Sequence, residues 1–156
     1  MTDILTRRSV LAGAVAVTLA GLSGGAIAAT PQQAQDMVAK AIALFEEKGE
    51  AAFTVFDEGE ASGFVEGEVY IVVNSIGPDA KVVAHATNSK LIGTPLSAIV
   101  DENGKAFAVD ISERATSEGG WFDYVWLNPA VDKVQRKEAW AVLHEDFVFL
   151  AGIYVE

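Results

Sequence analysis

The chain has 156 residues and a mass of 16.5 kDa, room for one domain, and its 51% hydrophobic content with a mean hydropathy of +0.27 excludes an intrinsically disordered polymer. A formal net charge of -11 and a pI near 4.5 repel phosphate backbones and argue against nucleic acid as a partner. With no cysteine and only His85 and His144 as histidines, disulfides, thiolate zinc, iron–sulfur clusters, covalent c-type haem, a cysteine nucleophile and a histidine-rich metal site are all excluded, and no cofactor is implied.

Residues 1–28 read as an export signal peptide. Arg7-Arg8 precede a mild apolar run from Val10 to Leu22, and Ala26-Ile27-Ala28 supplies a small-residue cleavage site, so cutting is expected before Ala29. The paired arginines resemble the twin-arginine signal, which exports folded proteins. The match departs from that pattern at Val10 and Ala12, and an ordinary secretory signal is one competing reading. An uncleaved membrane anchor is another, because the run approaches the roughly 20 residues a spanning helix needs, although Gly13, Gly21, Gly24 and Gly25 dilute it. No second hydrophobic segment of spanning length follows, so residues 29–156 are expected to form one domain in the periplasm.

Thr30-Pro31 opens a helix, with Thr as cap and Pro preorganised at the first helical position. Ala34, Met37, Val38, Ala41, Ile42 and Phe45 give it one apolar stripe, and Gly49 stops it. A shorter helix is expected from Glu50 to Phe56. The β-branched run Glu68–Asn74 predicts a strand, Gly77-Pro78-Asp79 a turn, and Lys81–His85 the returning strand. Turn residues punctuate 86–105. Phe107, Ile111 and Ala115 at four-residue steps place a helix over Lys105–Ser117. Strands are expected at Trp121–Leu127, Arg136–His144 and Phe147–Val155, the last two joined tightly by Glu145-Asp146. The fold class is therefore α+β: a long N-terminal helix packed on an antiparallel sheet of about five strands, with the crossover and a pocket on the other face.

The order of motifs resembles a known family. Ala84-His85-Ala86-x-Asn88, Leu91-Ile92-Gly93-x-Pro95-Leu96, Asp101-x-Asn103-Gly104-Lys105-x-Phe107, Gly119-Gly120-Trp121-x-Asp123-Tyr124-x-Trp126-x-Asn128-Pro129, Lys137 and Gly152-Ile153-Tyr154 together are similar to the single Cache domain of the second type, the extracytoplasmic sensor module of bacterial chemoreceptors and histidine kinases. The resemblance spans residues 31–156. It implies a PAS-like sheet and a pocket for a small organic acid such as acetate, propionate, lactate or pyruvate. Ala86 stands where the family usually has Pro, and Ala151 where Ser or Thr is common.

Four residues are candidate ligand contacts. Lys137 shares a strand face with Ala139, Ala141 and Leu143, which places an ammonium among small apolar neighbours with room for a carboxylate. The competing reading is that it snorkels to solvent. Tyr124 and Trp126 share a face with Phe122, as core or as pocket wall, and each carries a polar group that wants a partner when buried. His85 ends its strand before an irregular loop, as a structural histidine or as pocket lining. Trp121, of the opposite parity, is assigned to packing, and His144, in a turn beside Glu145-Asp146, to the surface. Asp101-x-Asn103-Gly104 lacks the later ligands of a calcium loop and reads as an Asx turn. No nucleophile elbow or H-E-x-x-H motif is present, and Glu58 and Glu60 lie in an acidic surface run, so no enzyme is expected. The function expected is a stand-alone periplasmic sensor domain that binds a small organic acid and acts through a membrane receptor or kinase. The alternative is an accessory protein of a redox or signalling complex with a vestigial pocket.

Overall fold

A computed structural model describes residues 27–156. Arg7, Arg8 and Ala26 lie outside these residues, and Ala28 is exposed. Helix α1 (Pro31–Lys48) begins with a full capping box: the Thr30 hydroxyl accepts from the Gln33 backbone N–H, and the Gln33 side chain accepts from the Thr30 N–H. Two of the backbone donors left over at the helix start are thereby satisfied. Helix α2 (Ala51–Phe56) follows after Gly49, whose φ is 61°.

Strands β1 (Val65–Glu66), β2 (Val69–Ser75), β3 (Val82–His85), β4 (Gly120–Asn128), β5 (Lys133–His144) and β6 (Phe147–Val155) form one six-stranded sheet in the order β1-β2-β6-β5-β4, with β3 also pairing β2. Every pairing is antiparallel. The sixth strand beyond the expected sheet is β1, two residues long and outside the reach of any period-2 pattern. Strand β5 starts at Lys133, ahead of the expected Arg136, because it continues its ladder with β4 down to Asn128↔Lys133. Helix α3 (Phe107–Arg114) is shorter than the expected 105–117: Lys105 is held in a turn by Asp101, and Ala115 is already extended at φ -63°, ψ 140°.

The sheet separates two apolar layers. On one face, Ala34, Met37, Val38, Ala41 and Phe45 of α1 pack on Ile71, Val73, Phe149, Ala151 and Ile153. Phe45, Phe53 and Phe147 meet there with ring centroids 4.9–5.5 Å apart. On the other face, α3 and the loop before it bring Leu96, Ile99, Phe107 and Ile111 against Phe122, Tyr124, Ala139, Ala141, Val148 and Leu150. Strand alternation alone decides this partition.

Trp121 is 40% exposed and leans on Trp140 with ring centroids 5.4 Å apart, a packing role of the kind expected. His144 differs from expectation. It is half-buried at the end of β5, with its ring edge-on to Phe45 at 6.0 Å and its Nε2 3.7 Å from Glu46 Oε1, because α1 lies across the strand end.

Candidate ligand-binding site

The ladders place Tyr124 of β4 opposite Lys137 of β5, and Lys137 opposite Tyr154 of β6. Lys137 is 2% exposed. It does not snorkel. Its Nζ lies 3.8 Å from the ring centroid of Tyr70 and 4.8 Å from that of Tyr154. Among the described residues no carboxylate comes within ion-pair distance of it. Two aromatic faces offset part of the cost of desolvating an ammonium, but a buried charge without a counter-ion remains expensive.

Gly152 makes this placement possible. A Cβ there would lie 2.7 Å from Lys137 Cε and 2.8 Å from the Glu138 carbonyl oxygen. The missing side chain is the trough through which the lysine stem runs toward Tyr70.

His85 is 5% exposed and tilts over Tyr70 with ring centroids 5.3 Å apart. Its Nδ1 accepts from the backbone N–H of Asn88 at 3.0 Å and of Thr87 at 3.4 Å. That fixes the proton on Nε2, a donor on a ring that lines the cavity. Burial and then the Lys137 charge push the imidazole down to about 3, so it is neutral at physiological pH. The backbone N–H of His85 donates to Asp57 Oδ1 at 3.0 Å, which ties the strand end to the C-terminus of α2. Burial raises the Asp57 carboxyl against this hydrogen bond.

The tyrosines form a relay of fixed direction. The Tyr154 hydroxyl donates to the Leu127 carbonyl at 2.7 Å, so at the 3.3 Å contact between the two hydroxyls Tyr70 is the donor. Burial drives the Tyr124 and Tyr154 phenols upward, and both stay neutral. Phe107 of α3 stacks face to face on Tyr124 at 3.9 Å and meets Trp126 edge-on at 5.1 Å.

These groups enclose a cavity of about 40 Å³, the space of one or two water molecules. A larger occupant enters only if the wall gives, and the part of the wall outside the sheet is Leu91, Ile99 and α3. All four predicted contact residues, His85, Tyr124, Trp126 and Lys137, line this one cavity. Among the described residues Lys137 is its sole formally charged lining residue, and no aspartate or glutamate contributes. Sequence reasoning missed Tyr70, Asn74 and Phe107. Tyr70 and Asn74 carry the right parity on β2 for this face, and Phe107 the right helical phase. A larger groove of about 610 Å³ between the 77–81 turn and α3 is lined by no buried charged side chain.

Asp101 does not form a cation loop. Its Oδ1 accepts from the Asn103 and Lys105 N–H groups at 2.9 Å each, and its Oδ2 from Val125 N–H at 3.2 Å, which makes the Asx turn a clasp on the edge of β4. Against burial, which raises it, these backbone donors hold the carboxyl below its ordinary value. No group of acidic or histidine side chains among the described residues is arranged to hold a metal ion.

A long helix on one face of an antiparallel sheet and a helix-covered cavity on the other define a PAS-like fold. Residues 25–156 match the family described as Single Cache domain 2, and the chain belongs to that family. Among solved structures it is similar to a methyl-accepting chemotaxis protein from Vibrio parahaemolyticus RIMD 2210633, at 18% identity and a TM-score of 0.64, over 80% of this chain and 88% of that one. It is similar to the periplasmic sensor domain of a chemotaxis protein, at 23% identity and a TM-score of 0.57, over 80% and 90%. A third is a Cache chemosensory domain described in terms of carboxylic acid recognition, at 21% identity and a TM-score of 0.58, over 80% and 88%. At these identities the likeness is one of fold. No curated protein matches the chain. No helix of the described residues is long and apolar enough to cross a membrane.

Proposed function

We propose that this Cache domain is a periplasmic sensor that binds a small organic acid, of the acetate, propionate, lactate or pyruvate class, and acts through a membrane receptor or kinase, after export directed by residues 1–28. The observation that carries this reading is Lys137: an ammonium 2% exposed, without a carboxylate partner among the described residues, at the wall of a cavity. A ligand carboxylate would supply the missing counter-charge, and His85 Nε2–H stands on the same wall as a second donor. The kinship with a domain described by its recognition of carboxylic acids supports the same ligand class. All of these acids are larger than the one or two water molecules the cavity holds, so each enters by displacing Leu91, Ile99 or α3.

That same small volume favours the second reading, an accessory protein whose pocket is vestigial. A thermal-shift screen separates the two. The sensor reading expects acetate, propionate, lactate or pyruvate to raise the melting temperature in a saturable way at millimolar concentration, with the uncharged amides of the same acids inert. No shift from any small acid would favour the accessory protein.

A further inference from the structure

The cavity has a further polar lining residue at another position along β2, Asn74. Asn74 is 3% exposed and lines the cavity, and its Oδ1 is buried with no hydrogen-bond partner among the described residues. Native interiors leave few such groups unpaired. Asn74 occupies the same sheet face as Tyr70, over whose ring Lys137 Nζ sits, four residues further along β2, or roughly 13 Å by strand rise. Its partners across the ladders are Val148 and Val82, which offer it no polar side chain. Between Tyr70 and Asn74 the sheet wall is apolar: Val72 of β2 and its ladder partner Leu150 of β6.

The cavity therefore holds a charge near Tyr70, apolar side chains along β2 and β6, and, beside Val82 and Val148, an amide oxygen without a partner among the described residues. We propose that Asn74 is a specificity-determining contact for a hydroxyl carried by the ligand at the end remote from its carboxylate, so that the site prefers acids with a terminal hydroxyl over alkanoates of the same shape. The inference rests on the carboxylate-sensor reading and deepens it. A hydroxyl suits this position because it can both donate to the amide oxygen and accept from the amide nitrogen. A methyl in its place would leave the amide unpaired, and sites built to hydrogen-bond a hydroxyl discriminate against analogues that lack it.

The experiment uses probe pairs that differ only by methyl against hydroxyl: propionate with glycolate, butyrate with 3-hydroxypropionate, valerate with 4-hydroxybutyrate, and hexanoate with 5-hydroxyvalerate. Each is titrated calorimetrically into the wild-type protein and into Asn74→Leu, which keeps the branched shape and removes the polar atoms. Asn74→Ala is the second variant, should the larger leucine disturb folding. The expected result is a preference for the hydroxyl member of about three- to tenfold in the longer pairs. Glycolate, whose hydroxyl adjoins the carboxylate and does not reach Asn74, should show none. Both variants should abolish the preference, and their melting temperatures should stay within a small margin of the wild-type value. Alkanoate binding with no hydroxyl preference at any length, or a preference that survives in both variants, overturns the role of Asn74 and leaves the carboxylate reading standing. Failure of every acid to bind overturns that reading and this inference with it.

Discussion

Replacing Gly152 by alanine tests whether the lysine trough is a built feature. The new Cβ would meet Lys137 Cε at 2.7 Å, the Glu138 carbonyl oxygen at 2.8 Å and Ala139 Cα at 3.2 Å. The lysine tip can swing away, but the two backbone atoms belong to the central β5–β6 ladder and yield only if the strands part. Overpacking of this kind costs about 1–3 kcal/mol, and the displaced ammonium loses its place over Tyr70. Gly152→Ala should thus lower stability by about that amount in urea denaturation and weaken acetate or propionate binding as well. Gly120→Ala is the control, since its Cβ would meet only Phe122 at an ordinary 3.6 Å. Truncating the lysine relieves one clash and leaves the others, so Lys137→Ala should recover part, not all, of the loss when combined with Gly152→Ala. A Gly152→Ala protein that unfolds and binds as wild type would refute the reasoning.

Acid stability should carry the signature of His85. Its folded pKa of about 3 lies below the ordinary 6.5, so the unfolded chain binds the extra proton between those values, and stability present above the unfolded pKa is lost as pH falls. The slope is at most about 1.4 kcal/mol per pH unit. His85→Asn, which retains an acceptor for the Thr87 and Asn88 N–H groups, should flatten it in denaturation curves from pH 7 to 4, whereas an unchanged slope would assign the acid sensitivity elsewhere. Arg7→Lys with Arg8→Lys should leave the precursor in the cytoplasm on cell fractionation if export follows the twin-arginine route. Normal accumulation in the periplasm would reject that route.

Local chemistry made much of the fold legible. Thr30-Pro31 and Gly49 bracket α1 because cap and stop are set by single residues. The alternation along β4 and β5 puts Tyr124 and Trp126 on one face of their strand, and Lys137 with Ala139 and Ala141 on one face of its own, before any strand is paired. That the three meet at one pocket is implied by the family resemblance, not by the alternation. What alternation cannot provide is strand order. Tyr70 reaches Lys137 only because β6 inserts between β2 and β5, a long-range pairing between residues 71–75 and 147–151. Asn74 carried the right parity but looked like an ordinary strand end, and its isolation emerges only once Val82 and Val148 are placed beside it. His144 was misjudged because its covering group, Glu46 on α1, lies far away in sequence. Strand β1, at two residues, carries no periodic signal at all.

The most direct measurement is a calorimetric titration of the small acid that gives the largest thermal shift into wild type and Lys137→Met. Methionine keeps most of the side-chain length and removes the charge. Because the unliganded protein holds the ammonium buried without a carboxylate, the variant should fold with equal or greater stability. A charge-assisted hydrogen bond contributes roughly 1.5–3 kcal/mol, so its affinity for the acid should fall by about ten- to 150-fold. Equal affinities in the two proteins would contradict the assignment of Lys137 as the carboxylate anchor.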